Sequence, residues 1–141
     1  MKPTTLFATL LLAAAAVLSP LAAQAQGAKH HLILQVSDND PGKWNLALNN
    51  AANVQEAFGK DNVEVEIVAY GPGLHMLKSD SKVAPRLNAA LDHNVGLIAC
   101  GNTMKKMKLG KADLAGGIQV VDGGLVHIMK RQKEDWNYVR P

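Results

Sequence analysis

The sequence predicts an α/β fold of three layers, in which helices cover both faces of a mostly parallel five-stranded sheet. Short apolar segments rich in β-branched residues alternate with segments whose apolar residues recur at helical spacing. Turns containing glycine, proline or asparagine separate them. Because neighbouring parallel strands need a long crossover, which is normally a helix, this alternation favours a parallel sheet. No linker or repeat interrupts the pattern, so one domain is expected.

Residues 1–25 are typical of a secretory signal peptide. Lys2 makes the start positive, residues 6–18 are almost entirely apolar, and small residues precede the expected cleavage site after Ala25. The apolar run is too short for a membrane-spanning helix, which needs about 18 residues or more. We therefore expect a mature single domain over residues 26–141, a periplasmic or secreted location, and no membrane attachment after cleavage.

The first half of the mature chain predicts two strands with a long helix between them. A strand over residues 31–37 is followed by the helix-start residues 40–42, and helical spacing predicts a helix over 43–58. A second strand over 63–70 alternates at first and then becomes continuously apolar, so its end is expected to enter the interior. It stops at the loop 71–73.

The second half predicts three more strands, each preceded by a helix. The first pair is a helix that Ser81 caps and Asn94 ends, followed by a strand over 95–100. The second pair is a short helix, capped by Asn102 or Thr103 and ended by Gly110, followed by a strand over 118–121. The third pair is a helix over 125–136 and an edge strand over 138–140. Ligands of parallel sheets bind beyond the carboxyl ends of the strands. The candidate loops are therefore 37–42, 71–75, 100–103 and 122–124.

Composition excludes several classes of function. The net charge is +3 among 141 residues, and no basic stripe interleaved with aromatic residues is present, so nucleic-acid binding is not expected. A single cysteine cannot form an internal disulfide. His30, His31, Asp122 and His127 lack the paired spacing of a metal site, and no phosphate-binding glycine loop occurs. We therefore expect neither a metal nor an organic cofactor.

Cys100 is the candidate reactive residue. It ends an apolar strand and precedes a helix, where unpaired backbone N–H groups, the helix dipole and nearby lysines favour a thiolate. The alternative is an inert cysteine that packs as a small apolar residue. Candidate neighbours in the pocket come from the loops at the same sheet edge, namely Gly73, His75, Gly101, Asn102 and Thr103. A lone histidine in a loop, such as His75, is more often a solvated surface residue.

Four segments, in order, resemble the DsrE/DsrF-like family over about residues 31–141. They are Val-Ala-Tyr-Gly-Pro-Gly-Leu at 68–74, Ile-Ala-Cys-Gly-Asn-Thr-Met at 98–104, Val-Val-Asp-Gly-Gly at 120–124, and the ending from Arg131-Gln132 to Tyr-Val-Arg-Pro at 138–141. The resemblance implies a flavodoxin- or Rossmann-like α/β/α domain that assembles as a homotrimer or homohexamer. It also implies that Cys100 carries sulfur as a persulfide and exchanges it with a protein or a small sulfane-sulfur compound, without a cofactor.

The export signal sets this chain apart from the cytoplasmic relay members of that family, because it places a lone thiol in an oxidising compartment. The favoured hypothesis is a sulfur carrier that is sulfurtransferase-like at most. The alternative is a small-molecule or protein-binding module of the same fold with a structural Cys100. A thiol-dependent hydrolase or reductase ranks last, because the chain has no Cys-x-x-Cys pair and no recognisable triad.

Overall fold

The computed structural model describes residues 29–141 and shows five parallel strands with helices on both faces. The strands are β1 (His30–Val36), β2 (Val63–Ala69), β3 (Val95–Cys100), β4 (Gln119–Val121) and β5 (Asn137–Val139). The helices are α1 (Pro41–Phe58), α2 (Ala84–Asp92), α3 (Gly101–Met107) and α4 (Gly124–Lys133), with 3₁₀ helices at Gly71–Leu77 and Lys111–Asp113. The predicted signal peptide, residues 1–25, lies outside the described residues.

Local sequence signals account for most helix boundaries. Asp40 caps α1, with its carboxylate accepting a hydrogen bond from the Gly42 N–H at 2.8 Å, and Pro41 occupies the first turn. Gly59 ends the same helix with φ of +85°. Asn94 adopts a left-handed conformation after α2, with φ of +61°, which confirms the predicted stop.

Two predicted caps are wrong. Ser81 lies in a turn before α2, which begins at Ala84, and its hydroxyl accepts only a long 3.4 Å bond from the Val83 N–H. At α3, the residue at the cap position is Cys100, and neither Asn102 nor Thr103 caps the helix. The Thr103 hydroxyl is used elsewhere, as described below.

Two predicted helix ends also differ. The left-handed residue after α3 is Lys108, with φ of +55°, rather than Gly110. The last helix ends at Lys133, not at residue 136, because Asp135 turns the chain with φ of +62°. This turn carries Trp136 under the sheet, where it is buried.

The two faces of the sheet are covered unequally. One face holds the large core, in which side chains from every other position of the central strands pack against α1, α2 and the 3₁₀ segment Gly71–Leu77. The opposite face is covered by α4 and has a small core, which consists of Ile33, Val68, Ile98, Ile128 and Trp136. The sheet order β4-β3-β2-β1-β5 explains this asymmetry. The chain moves outward as far as β4, and α4 then returns it across the second face to β5.

This return places the start of α4 beside the end of β3, because β4 is hydrogen-bonded to β3 with Cys100 opposite Val121. Consequently the helices that follow β3 and β4 both begin at the same sheet edge. None of the helices over residues 29–141 combines the length and apolarity that crossing a membrane requires.

Candidate functional site

Cys100 occupies the carboxyl end of β3 and is buried, with 5% of its surface exposed. Its side chain points to the face covered by α4, because it shares that face with Ile98, two positions earlier on the strand. The closeness of α4 is shown by Gly124, its first residue, where an added Cβ would lie 3.1 Å from the Cβ of Cys100. The sulfur therefore lies where α3 and α4 both begin.

Hydrogen bonds from these helix starts lower the pKa of the Cys100 thiol. Burial by itself raises this pKa, but the Thr103 hydroxyl and the backbone N–H groups of Gly124 and Thr103 hydrogen-bond to the sulfur and outweigh burial. The Asn102 N–H contributes least, consistent with its 3.0 Å bond to the carbonyl oxygen of Asp122. The net result is a thiol whose pKa lies below its ordinary value.

Thr103 is held in the orientation that this hydrogen bond needs. Its Oγ1 accepts a 2.9 Å hydrogen bond from the Gly71 N–H, across the gap between the loops that follow β2 and β3. Since a hydroxyl has one proton and two lone pairs, the proton remains available to donate to the sulfur. One side chain thus joins two loops and stabilises the thiolate.

Tyr70 also lies against this site, since its Cβ is 3.3 Å from an added Cβ at Gly124. Burial raises the pKa of the Tyr70 phenol, and the nearby Tyr138 adds to the increase. The phenol therefore stays neutral at physiological pH. Its ring forms part of the wall of a groove at the same sheet edge.

That groove has a volume of about 550 Å³ and lies over the loops that follow β2 and β3. It is lined by Tyr70, Gly71, Pro72, His75, Thr103, Lys106 and Met107. A second groove, of about 450 Å³, is lined by Asn102, Val120, Val121, Asp122, Gly123, Val126, His127 and Lys130. Thr103 and Asn102, both next to Cys100 in space, therefore face different grooves.

The structure brings the predicted site residues together to different degrees. Thr103 lowers the pKa of Cys100 through both its hydroxyl and its N–H, and Asn102 lowers this pKa through its N–H. His75 lies in the 550 Å³ groove and is half-buried, and its side chain makes no hydrogen bond to Cys100. Gly73 and Gly101 allow close backbone approaches, because an added Cβ would lie 2.3 Å from the Val36 carbonyl oxygen and 2.9 Å from that of Val121, respectively.

The sequence prediction missed Gly124 and Tyr70. Loop 122–124 was a candidate ligand loop, but nothing local assigned its N–H groups to a sulfur 24 positions earlier in the chain. The available signal was a pair of glycines at the start of a helix that follows a parallel strand. Across residues 29–141, no three His, Cys, Asp or Glu side chains are grouped so as to hold a metal ion.

The fold and site together define a class, an α/β protein with a buried, acidified cysteine at the carboxyl edge of a parallel sheet. The family model that matches this chain is described as the DsrE/DsrF-like family, and the match covers residues 30–141. The chain therefore belongs to the DsrE/DsrF-like family, which confirms the resemblance seen in its motifs.

Solved structures share the fold of this chain. MTH1491 from Methanobacterium thermoautotrophicum, described as a protein of unknown function, is 29% identical, with a TM-score of 0.77 over 80% of this chain and 100% of its own. YchN from E. coli is 12% identical, with a TM-score of 0.64 over 80% of this chain and 99% of its own. BT1422 from Bacteroides thetaiotaomicron is 13% identical, with a TM-score of 0.60 over 79% and 94%. No curated protein matches the chain significantly.

Proposed function

We propose that Cys100 accepts sulfane sulfur as a persulfide and passes it to an acceptor thiol. The observation that carries the proposal is the convergence of the Thr103 hydroxyl and the N–H groups of Thr103 and Gly124 on the sulfur, which lowers its pKa. A thiolate is the form that attacks sulfane sulfur. The family membership supports the proposal, because the family resemblance implies a persulfide-carrying cysteine at this position.

The chemistry balances without an added oxidant or cofactor. The Cys100 thiolate attacks the outer sulfur of a persulfide, polysulfide or thiosulfate, and an S–S bond forms. The donor's own S–S bond breaks, and its electron pair leaves with a thiolate, a shortened polysulfide or sulfite. In the second step an acceptor thiolate attacks the outer sulfur of the Cys100 persulfide, which releases the Cys100 thiolate and regenerates the site.

The surroundings of Cys100 suit the persulfide as well as the thiolate. A persulfide at this position extends the anionic sulfur by one atom, within reach of the same donors at the starts of α3 and α4. The 550 Å³ groove beside Thr103 provides space, and Lys106 and His75 on its wall provide positive or polarisable groups for an anionic donor. His75 is the pocket neighbour in this groove, whereas Asn102 lines the 450 Å³ groove. Gly73 and Gly101 contribute through the close backbone approaches that they allow.

The proposal includes export and self-association. The signal-peptide pattern supports a periplasmic or secreted protein of residues 26–141. Exposed apolar side chains on α4 support a homotrimer or homohexamer, since Leu125, Val126 and Met129 are each more than half exposed, at 56%, 55% and 55%. Their position on α4, whose first residue Gly124 packs against Cys100, favours a site close to a subunit boundary.

Intact-protein mass measurement tests the carrier role. The mature protein is incubated with polysulfide or thiosulfate, and we expect a gain of about 32 Da for each added sulfur, reversed by a thiol reductant. Cys100→Ser is the matched control and should gain nothing. If native Cys100 neither gains sulfur nor reacts with a thiol reagent, the carrier hypothesis fails and a binding module with a structural cysteine replaces it. A reactive Cys100 that gains no sulfur indicates redox or hydrolase chemistry instead.

A further inference from the structure

Glu66 is a buried carboxylate that the persulfide chemistry does not use. It lies in the middle of β2 and is 8% exposed. Among residues 29–141 it is the only buried residue with a charged side chain. A buried carboxylate is costly unless it is paired and hydrogen-bonded. The identity of its partners therefore indicates what this position does.

All of the hydrogen bonds to the Glu66 carboxylate come from α4. Arg131 donates from Nη2 to Oε1 at 2.5 Å and from Nε to Oε2 at 3.2 Å, which is a two-point contact. His127 Nε2 lies 2.7 Å from Oε2. Gly96, the partner of Glu66 on the neighbouring strand β3, has no side chain and so leaves room for the Glu66 side chain. An added Cβ at Gly96 would lie 3.1 Å from Glu66 Cγ. The carboxylate thus joins the centre of the sheet to two successive turns of α4.

The Arg131 guanidinium is fixed further by neighbours outside the pair. Its Nη1 donates to Glu134 at 2.9 Å, and its Cζ lies 4.6 Å from the centre of the Trp136 ring. The hydrogen bonds that it donates to Glu66 raise the pKa of this guanidinium, so it is charged at every relevant pH. Glu66, His127 and Arg131 will be called the α4 clamp.

Apolar packing gives α4 little other support. The core beneath it has five buried side chains, and among them α4 contributes Ile128 alone. Its other large apolar residues, Leu125, Val126 and Met129, are exposed. The position of α4 on the sheet therefore depends largely on the hydrogen bonds and charge pairs of the α4 clamp.

We infer that Glu66 is a positioning residue, which through His127 and Arg131 holds the first turn of α4 against Cys100 and directs the Gly124 N–H at the sulfur. The importance of Glu66 for sulfur transfer rests on the proposed function of Cys100. The contact it maintains is close, since Gly124 has no room even for a methyl group beside the Cβ of Cys100. Hydrogen bonds weaken steeply with distance and misalignment, so a small shift of the helix removes this one.

The test is the pH titration of thiolate absorbance in the full mature protein, with Cys100→Ser subtracted as background. Glu66→Gln keeps the size of the side chain and removes its charge. We expect the titration to move to higher pH and alkylation at neutral pH to slow about threefold, because the smaller thiolate fraction is partly offset by the greater nucleophilicity of a thiolate of higher pKa. Glu64→Gln is the matched control. Glu64 lies two positions earlier on the same strand and face, hydrogen-bonds Lys29 rather than α4, and should leave the titration unchanged.

A second variant keeps the test decisive if Glu66→Gln does not fold. Urea unfolding shows whether each variant is folded. Arg131→Lys keeps the charge but cannot form the two-point contact, so it should shift the titration in the same direction by a smaller amount. If either variant is folded and titrates as the wild type does, the positioning role is overturned. A shift in titration combined with no sulfur gain by the wild type overturns only the carrier function. Sulfur gain combined with unshifted variants overturns only the role of Glu66.

Discussion

At the scale of the residue, the acidity of Cys100 results from a competition between burial and hydrogen bonding. Burial favours the neutral thiol, whereas each hydrogen bond to a charged group contributes about 1.5–3 kcal/mol to the anion. Thr103 contributes both its hydroxyl and its backbone N–H, and Gly124 contributes a further N–H. Several such donors together outweigh the rise in pKa that burial causes at Cys100, which is 5% exposed.

Thr103→Val tests the contribution of the hydroxyl. Valine preserves the shape but cannot donate to the sulfur or accept from the Gly71 N–H. We expect alkylation of Cys100 at neutral pH to slow about threefold and the free energy of unfolding to fall by about 1–2 kcal/mol. Thr103→Ser retains the hydroxyl and should behave nearly as the wild type. A wild-type alkylation rate in the valine variant would show that the hydroxyl is not a determinant of reactivity.

The lowered pKa of Cys100 also predicts how stability depends on pH. In the unfolded chain the thiol titrates near its ordinary value of 9.0, and in the folded chain it titrates below it. The folded state therefore binds fewer protons between these two values, and stability rises with pH there. The stabilisation is complete above 9.0 and is lost as pH falls through the folded-state pKa.

Urea unfolding of wild type and Cys100→Ser at a series of pH values measures this effect. We expect the difference in their unfolding free energies to increase with pH and to level off above 9.0. A difference that is constant across this range would mean that the thiol has the same pKa in the folded and unfolded chains.

At the scale of the element, the distinctive feature is that α4 begins in contact with the end of β3. An added Cβ at Gly124 would lie 3.1 Å from the Cβ of Cys100, 3.3 Å from that of Tyr70 and 3.3 Å from Val68 Cγ1. Two of these atoms are Cβ atoms fixed to the backbones around the strand ends, so they cannot turn away as the end of a flexible side chain can. Packing therefore requires glycine at position 124. The hydrogen bond from the Gly124 N–H to the Cys100 sulfur depends on this close approach.

Gly124→Ala should therefore push the first turn of α4 away from the sheet. We expect a loss of about 1–3 kcal/mol in the free energy of unfolding and a rise in the pKa of Cys100, measured by urea unfolding and by the pH dependence of alkylation. Gly116→Ala is the matched control, because nothing lies within 4 Å of its added Cβ. Equal behaviour of the two variants would contradict the close approach at Gly124.

At the scale of the whole molecule, the sheet has one thickly covered face and one face with a single helix. The exposed residues Leu125, Val126 and Met129 lie on that helix, next to the site. Exposed apolar side chains that lie together on one face mark surfaces for association. The proposed homo-oligomer would cover them and would bring a second subunit close to Cys100.

Sedimentation of the mature protein tests this assembly. We expect a trimer or hexamer at micromolar concentration, and we expect Val126→Lys with Met129→Lys to shift it towards the monomer, because burying a lysine at an apolar interface is unfavourable. Leu46→Lys is the control, since Leu46 is also exposed, at 45%, but lies on α1 over the other face. A wild-type monomer would remove the proposed assembly.

The order of elements, the parallel sheet and the position of Cys100 at a strand end could be predicted from the amino-acid sequence, because hydrophobic periodicity and turn chemistry are local. Asn94 and Gly59 end helices for reasons readable in their own segments. The return of α4 across the second face of the sheet could not be predicted in this way and is seen in the folded chain. That return depends on long-range strand pairing, and it brings the Gly124 N–H to the sulfur and Glu66 beneath Arg131. Contacts between residues 24 and 65 positions apart leave no periodic trace in the chain, so no local pattern predicts them.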